Sequence, residues 1–193
     1  MLGDLWSFQG RYRTLHLTWI AFFLTFVVWF NLAPLATTVK ADLGLTVGQI
    51  RTVAICNVAL TIPARVLIGM LLDKFGPRIT YSSILVFSAI PCLLFASAQD
   101  FNQLVVARLL LSIVGAGFVI GIRMVAEWFP PKEIGLAEGI YGGWGNFGSA
   151  FSALTMVALA GFLSFSGGFE LPTGAVLNWR GAIALTGIVS AAY

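Results

Sequence analysis

Charge is what this sequence has least of. Its 193 residues include 11 Lys and Arg, 8 Asp and Glu and one His, so 10% of side chains are charged while 59% are apolar. A soluble domain carries about 25% charged and about 45–50% apolar residues. These charges are too few to cover a water-facing surface, and lipid is the expected solvent for most of the chain. The mean hydropathy of +0.92 agrees. Cysteine is scarce too. Cys56 and Cys92 lie inside apolar runs with no metal-ligand neighbours, which excludes a disulfide framework and leaves them as small packing residues. With one His, no metal-ligand cluster and no paired nucleophile and base, an enzyme is not expected and no cofactor is implied. No Asp or Glu sits near the middle of an apolar run, so the chain offers no intramembrane carboxylate relay for protons. The net charge of +3 falls at span ends or singly inside spans. That placement points to membrane topology and away from nucleic acid.

The long apolar runs come next. Five are long enough to span a bilayer, at roughly Leu15–Val39, Gln49–Leu72, Ile79–Ala98, Phe101–Val125 and Ile134–Phe165, and a sixth starts after Trp179 and Arg180. The first run is too long for a signal-peptide core and no small-residue cleavage site follows it, so it is expected to be a retained helix. The connections are short and polar, which makes neighbouring helices antiparallel. Arg11, Arg13, Lys74, Arg78 and Lys132 then fall on one side, with Arg123 close by; Lys40, Arg51 and Arg180 fall on the other. The bias predicts a cytoplasmic N-terminus. The last run, GAIALTGIVSAAY, stops short of a full crossing, so the chain is expected to continue beyond Tyr193. Residues 1–193 read as one unit without linker or low-complexity tract.

Three stretches carry chemistry. In GMLLDKFGPR, the residues Gly69, Asp73, Lys74, Gly76 and Arg78 fit either a conformational latch or an ordinary positive-inside loop. Asp73 suits a helix N-terminus, Gly76 permits a tight turn, and Lys74 and Arg78 anchor to headgroups or a helix end. Arg65 stands eight residues before Asp73, roughly 12 Å into the bilayer at 1.5 Å per residue, with no acid three or four positions away. A charge at that depth costs about 2.5–3.5 kcal/mol. A snorkelling side chain is one reading; the preferred one is a cavity-facing guanidinium whose planar fork fits a planar oxyanion. In GGWGNFGSA, Asn146 lies at a similar depth among Gly142, Gly143, Gly145 and Gly148. These residues form either a packing seam with a polar interhelical bond or the wall of a substrate pocket. Arg123 and Glu127 are four apart and suited to pairing on one helix. Arg108, Glu138 and His16 read as helix-end residues.

The Gly69–Arg78 loop resembles the G-x-x-x-D-[RK]-x-G-[RK] loop of the major facilitator superfamily, whose members have two halves of six helices. The resemblance implies an all-α membrane protein: the N-terminal helical bundle, with five transmembrane helices plus the start of a sixth, completed by a C-terminal half beyond this chain. GAGFVIG (Gly115 to Gly121), WFPPKEIGLAEG and GGWGNFGSA are similar to the nitrate/nitrite porter family of that superfamily. FVVWFNLAPL, Phe26 to Leu35, is similar to bacterial and cyanobacterial nitrate permeases. The family's G-x-G-N-x-G signature falls on Gly143, Gly145, Asn146 and Gly148, and its second-helix substrate arginine on Arg65. By that resemblance Phe118 is an aromatic wall of the site, with Phe26, Trp29 and Phe30 as further lining candidates. The implied function is secondary transport of nitrate or nitrite across the plasma (cell inner) membrane by alternating access. A carrier for another small anion and a non-transporting fragment remain the alternatives.

Overall fold

The computed structural model describes residues 7–193. The chain is a helical bundle whose order is α1 (Gly10–Phe30), α2 (Ala36–Asp42), α3 (Val47–Ala59), α4 (Thr61–Ser97), α5 (Phe101–Ser112), α6 (Phe118–Trp128), α7 (Pro131–Phe162) and α8 (Trp179–Ala192). A two-stranded antiparallel hairpin, β1 (Phe169–Glu170) with β2 (Val176–Leu177), precedes α8 and sets Phe169 opposite Leu177. The helices group into four apolar stretches long enough to cross a membrane: Gly10–Asp42, Val47–Ser97, Phe101–Trp128 and Pro131–Ser166.

The second stretch is two crossings. Its 51 residues would reach roughly 77 Å as a straight helix, against a hydrocarbon core of about 30 Å. The reversal is at Gly76, with φ 77° and ψ 167°. Contacts along the fourth crossing follow the turn. Thr61 pairs with Ser112 and Asp73 with Arg123; then Tyr81 lies beside Gly117, and Phe95 beneath the guanidinium of Arg108. The neighbour number rises to Gly76 and falls after it, so the two arms of α4 are antiparallel. The described residues thus form five membrane-length arms and a 14-residue α8. A side chain at positive φ with extended ψ costs about 1–3 kcal/mol. Gly76→Ala should therefore lower the thermal stability of the purified protein by that amount. Gly69→Ala should leave stability the same or higher, since Gly69 is helical and a Cβ there meets nothing within 4 Å.

Three crossings are interrupted. α1 ends at Phe30 and a 3₁₀ turn over Ala33–Leu35 follows, where Pro34 deprives the Phe30 carbonyl of its helical donor. α3 stops at Ala59, and Pro63 does the same to the Ala59 carbonyl. α5 passes into α6 through a 3₁₀ segment, Ile113–Gly117. By contrast, α7 runs unbroken for 32 residues. The tightest packing is of α1 on α7 and of α4 on α8. At the end where α1 begins, Arg11 pairs with Glu133 at 2.8 Å. At the opposite end Arg180 lies 3.5 Å from Asp42, which also accepts a hydrogen bond from Trp179 Nε1 at 2.7 Å.

Candidate functional site

Arg65 sits one turn into α4. Arg65, Gly69 and Asp73 recur every four residues and share one flank of the helix. Asp73 on that flank pairs with Arg123 of α6, so the flank turns toward α6. Arg65 is exposed at the surface of this bundle. Among the described residues no carboxylate lies within 4.0 Å of it: Asp73 is taken by Arg123, and Arg123 Nε also donates to Glu127 at 2.8 Å. Level with Arg65, between the Thr61–Ser112 and Asp73–Arg123 contacts, run Gly115 to Phe118.

Phe118 is half-buried. Its ring centroid lies 5.4 Å from Phe22 and 6.4 Å from Tyr141, and its carbonyl accepts the Tyr141 hydroxyl at 3.0 Å. Asn146 is exposed on α7, where its Nδ2 donates to the Gly142 carbonyl one turn back at 2.7 Å. Gly143 is also exposed, and a Cβ there meets nothing within 4 Å. Gly145 and Gly148 differ from these two. Both are buried, and a Cβ would run into the Phe22 ring at Gly145 and into the Phe23 carbonyl oxygen at Gly148. These two are where α1 and α7 touch, while Gly143 and Asn146 stay on the open flank. Arg65, Phe118 and Asn146 therefore lie within about two helical turns of one depth. Arg65 and Asn146 do not meet: α4 packs on α6, and α6 and α1 pack on α7.

The residues read as a latch lie around the reversal. Gly76 makes the turn. Asp73 is not at a helix N-terminus but in the last turn before Gly76, where the dipole disfavours an anion. Its stabilisation comes instead from Arg123, across fifty residues of sequence. Lys74 lies 5.2 Å from the Phe75 ring centre, and Arg78 is exposed.

Sequence reasoning placed Arg108 near a helix end, and the structure corrects this. Arg108 is 1% exposed. Its Nη1 donates to Asn31 Oδ1 at 3.0 Å and its Nη2 to the Trp29 carbonyl at 3.2 Å. Nε has no partner among the described residues. Asn31 in turn donates to Thr186 Oγ1 at 3.0 Å. Trp29, also 8% exposed, donates from Nε1 to the Asn57 carbonyl at 2.7 Å. It ties α1 to α3.

Apolar helices long enough to cross a membrane, folded back at a glycine and braced by an aspartate–arginine pair, define a polytopic membrane protein. The chain belongs to the Major Facilitator Superfamily, whose family model matches residues 18–193. It is 63% identical to the nitrate/nitrite transporter NrtP of Picosynechococcus sp. and 62% identical to NrtP of Nostoc punctiforme, in each case over 100% of this chain. It is 33% identical to a probable nitrate/nitrite antiporter of Thermus thermophilus over 88% of its length. It spans 37–39% of the length of these three relatives. Among solved structures, a bacterial homologue of the human lysosomal transporter Spinster, inward-facing and occupied, matches 94% of this chain and 42% of its own with a TM-score of 0.73 at 19% identity. That likeness bears on the fold alone.

Proposed function

We propose that this chain is the N-terminal bundle of a nitrate/nitrite carrier of the plasma (cell inner) membrane, with its N-terminus in the cytoplasm. A second bundle closes the site, and the two rock about it. Arg65 holds the anion. Its guanidinium presents a planar fork of donors that matches two oxygens of nitrate at once, which an ammonium does not. Phe118 walls the site, and Asn146 and Gly143 shape its far side. Gly145 and Gly148 contribute indirectly, by letting α7 approach α1. The Asp73–Arg123 pair, with Lys74, Gly76 and Arg78, is the latch at the cytoplasmic end.

The observation that carries this reading is Arg65 itself: an exposed cation eight residues, or roughly 12 Å along the helix, before Asp73, with no carboxylate of the described residues against it. Such a charge calls for an anion from outside the chain. The relatives' names supply which anion. The test is nitrate uptake by the complete transporter carrying Arg65→Lys. A hydrogen bond to a charged group is worth about 1.5–3 kcal/mol, so losing the second arm of the fork should raise KM at least about tenfold. Normal uptake with an unchanged KM contradicts the assignment.

A further inference from the structure

The Arg65 side chain has no hydrogen bond or ion pair to any described residue that would aim it. Its direction must therefore come from the backbone, and the backbone is jointed five residues earlier, at Leu60 between α3 and α4. We propose that Trp29 and Ser112 are positioning residues for Arg65: they clamp this joint from two other crossings and so set where the guanidinium points. This rests on the reading of Arg65 as the anion's ligand.

Three hydrogen bonds tie the joint to these two residues. Ser112 Oγ accepts the Leu60 amide at 3.2 Å, and the Ser112 carbonyl accepts the Thr61 hydroxyl at 3.2 Å. Trp29 Nε1 donates to the Asn57 carbonyl, in the last turn before the joint, at 2.7 Å. Pro63 removes the helical donor to the Ala59 carbonyl here, and these outside bonds fasten the weakened stretch to the neighbouring crossings. The clamp is itself fixed. Ser112 is fully buried, and its hydroxyl proton goes to the Leu109 carbonyl at 2.7 Å. The indole fills the space left by Gly115, where a Cβ would stand 2.6 Å from the ring. The carbonyl of Trp29 is held by Arg108.

The geometry makes small changes costly. With a lever of roughly 10 Å from Leu60 to the guanidinium, a 10° change at the joint moves the donors by about 1–2 Å. Binding groups must be held within about 0.5 Å, and a 1 Å error costs up to about a hundredfold.

The test is nitrate uptake by the complete transporter carrying Trp29→Phe, Ser112→Ala or Ser112→Thr, each alone and with Arg65→Lys. KM is read because it does not depend on how much protein is inserted; nitrate Kd on the purified transporter serves where uptake is too slow. Trp29→Phe removes the donor together with the part of the indole that packs on Gly115; Ser112→Ala removes the acceptor of the Leu60 amide together with the donor to the Leu109 carbonyl. Each should raise KM about tenfold with turnover per inserted transporter held within about twofold, while Ser112→Thr, which keeps the acceptor, stays within about twofold of the parent. Combined with Arg65→Lys, neither should add more than about twofold, because the fork they aim is gone. An unchanged KM in both single variants beside an impaired Arg65→Lys overturns the positioning role alone, as do effects that multiply fully with Arg65→Lys. A normal KM for Arg65→Lys by itself overturns the ligand reading and this one with it.

Discussion

Gly148→Ile should leave no folded transporter in the membrane, whereas Gly143→Ala, five residues away, should fold as well as the parent. The contrast comes from what each position faces. A Cβ on Gly148 meets the Phe23 carbonyl oxygen and Cβ of Phe26, which are backbone and near-backbone atoms of α1 that cannot rotate aside. Gly145→Ile should behave similarly, because the Phe22 ring it strikes is fully buried and is held by Phe26, Phe118 and Tyr141 at centroid distances of 4.4, 5.4 and 4.8 Å. Overpacking an ordinary core costs about 1–3 kcal/mol. Here the intruding group would push apart the two helices that pack most closely, so the cost should exceed that and consume much of a stability of about 5–15 kcal/mol. The α1–α7 approach in lipid depends on small residues for van der Waals contact, with no hydrophobic drive to replace it. Membrane level of a fluorescently tagged protein and its elution in detergent measure the effect. Gly143→Ala should elute as the parent does, yet weaken nitrate uptake through its place on the open flank beside Asn146. Normal folding of Gly148→Ile would remove the close-approach account of this helix pair.

The five crossings were legible because mean hydropathy over about 20 residues is a strong signal in lipid. The Gly76 reversal was legible too, since a glycine between charged residues at a span end has few other uses. The internal breaks were not. Pro34 and Pro63 are visible in the sequence, but which side chains brace the break after α3 is decided by helices brought together only in the fold. Trp29 lies 28 residues from Asn57, and Ser112 lies 52 from Leu60. The glycine-rich stretch of α7 shows a subtler gap. Four glycines of identical type lie between Gly142 and Gly148, and only two touch α1. The phase was readable: Ala137, Tyr141, Gly145, Gly148 and Ser152 follow the three-to-four residue period of one helix face. Composition drew the eye to the cluster, whereas the period separates packing glycines from open ones. Arg108 was missed for the opposite reason. Two turns inside a span it looked interfacial by count, and only the arrival of Asn31, 77 residues away, shows it sealed in the interior.

That sealed arginine leads to the other large effect: Asn31→Leu should destabilise the protein more than Arg108→Met does. Intuition from ion pairs runs the other way, since Arg108 carries the charge. Removing Asn31 leaves a buried cation with the Trp29 carbonyl as its remaining acceptor and an Nε that already lacks one. Stranding a buried charge costs about 3–5 kcal/mol. The same change strips the Thr186 hydroxyl of the donor that reaches it across the bundle from Asn31. Arg108→Met removes the charge altogether. Two acceptors, Asn31 Oδ1 and the Trp29 carbonyl, then lose their donors, at about 1–3 kcal/mol each. Against this stands relief from carrying a charge at depth, about 2.5–3.5 kcal/mol, and methionine fills irregular space well. The net should be small. The double variant Asn31→Leu with Arg108→Met should then be more stable than Asn31→Leu alone, because the stranded cation is gone. Thermal unfolding of the four purified proteins in one detergent measures all three comparisons. If Arg108→Met proves the more damaging single change, or if the double variant is no better than Asn31→Leu, the guanidinium is stabilising in place rather than an uncompensated charge that Asn31 makes tolerable.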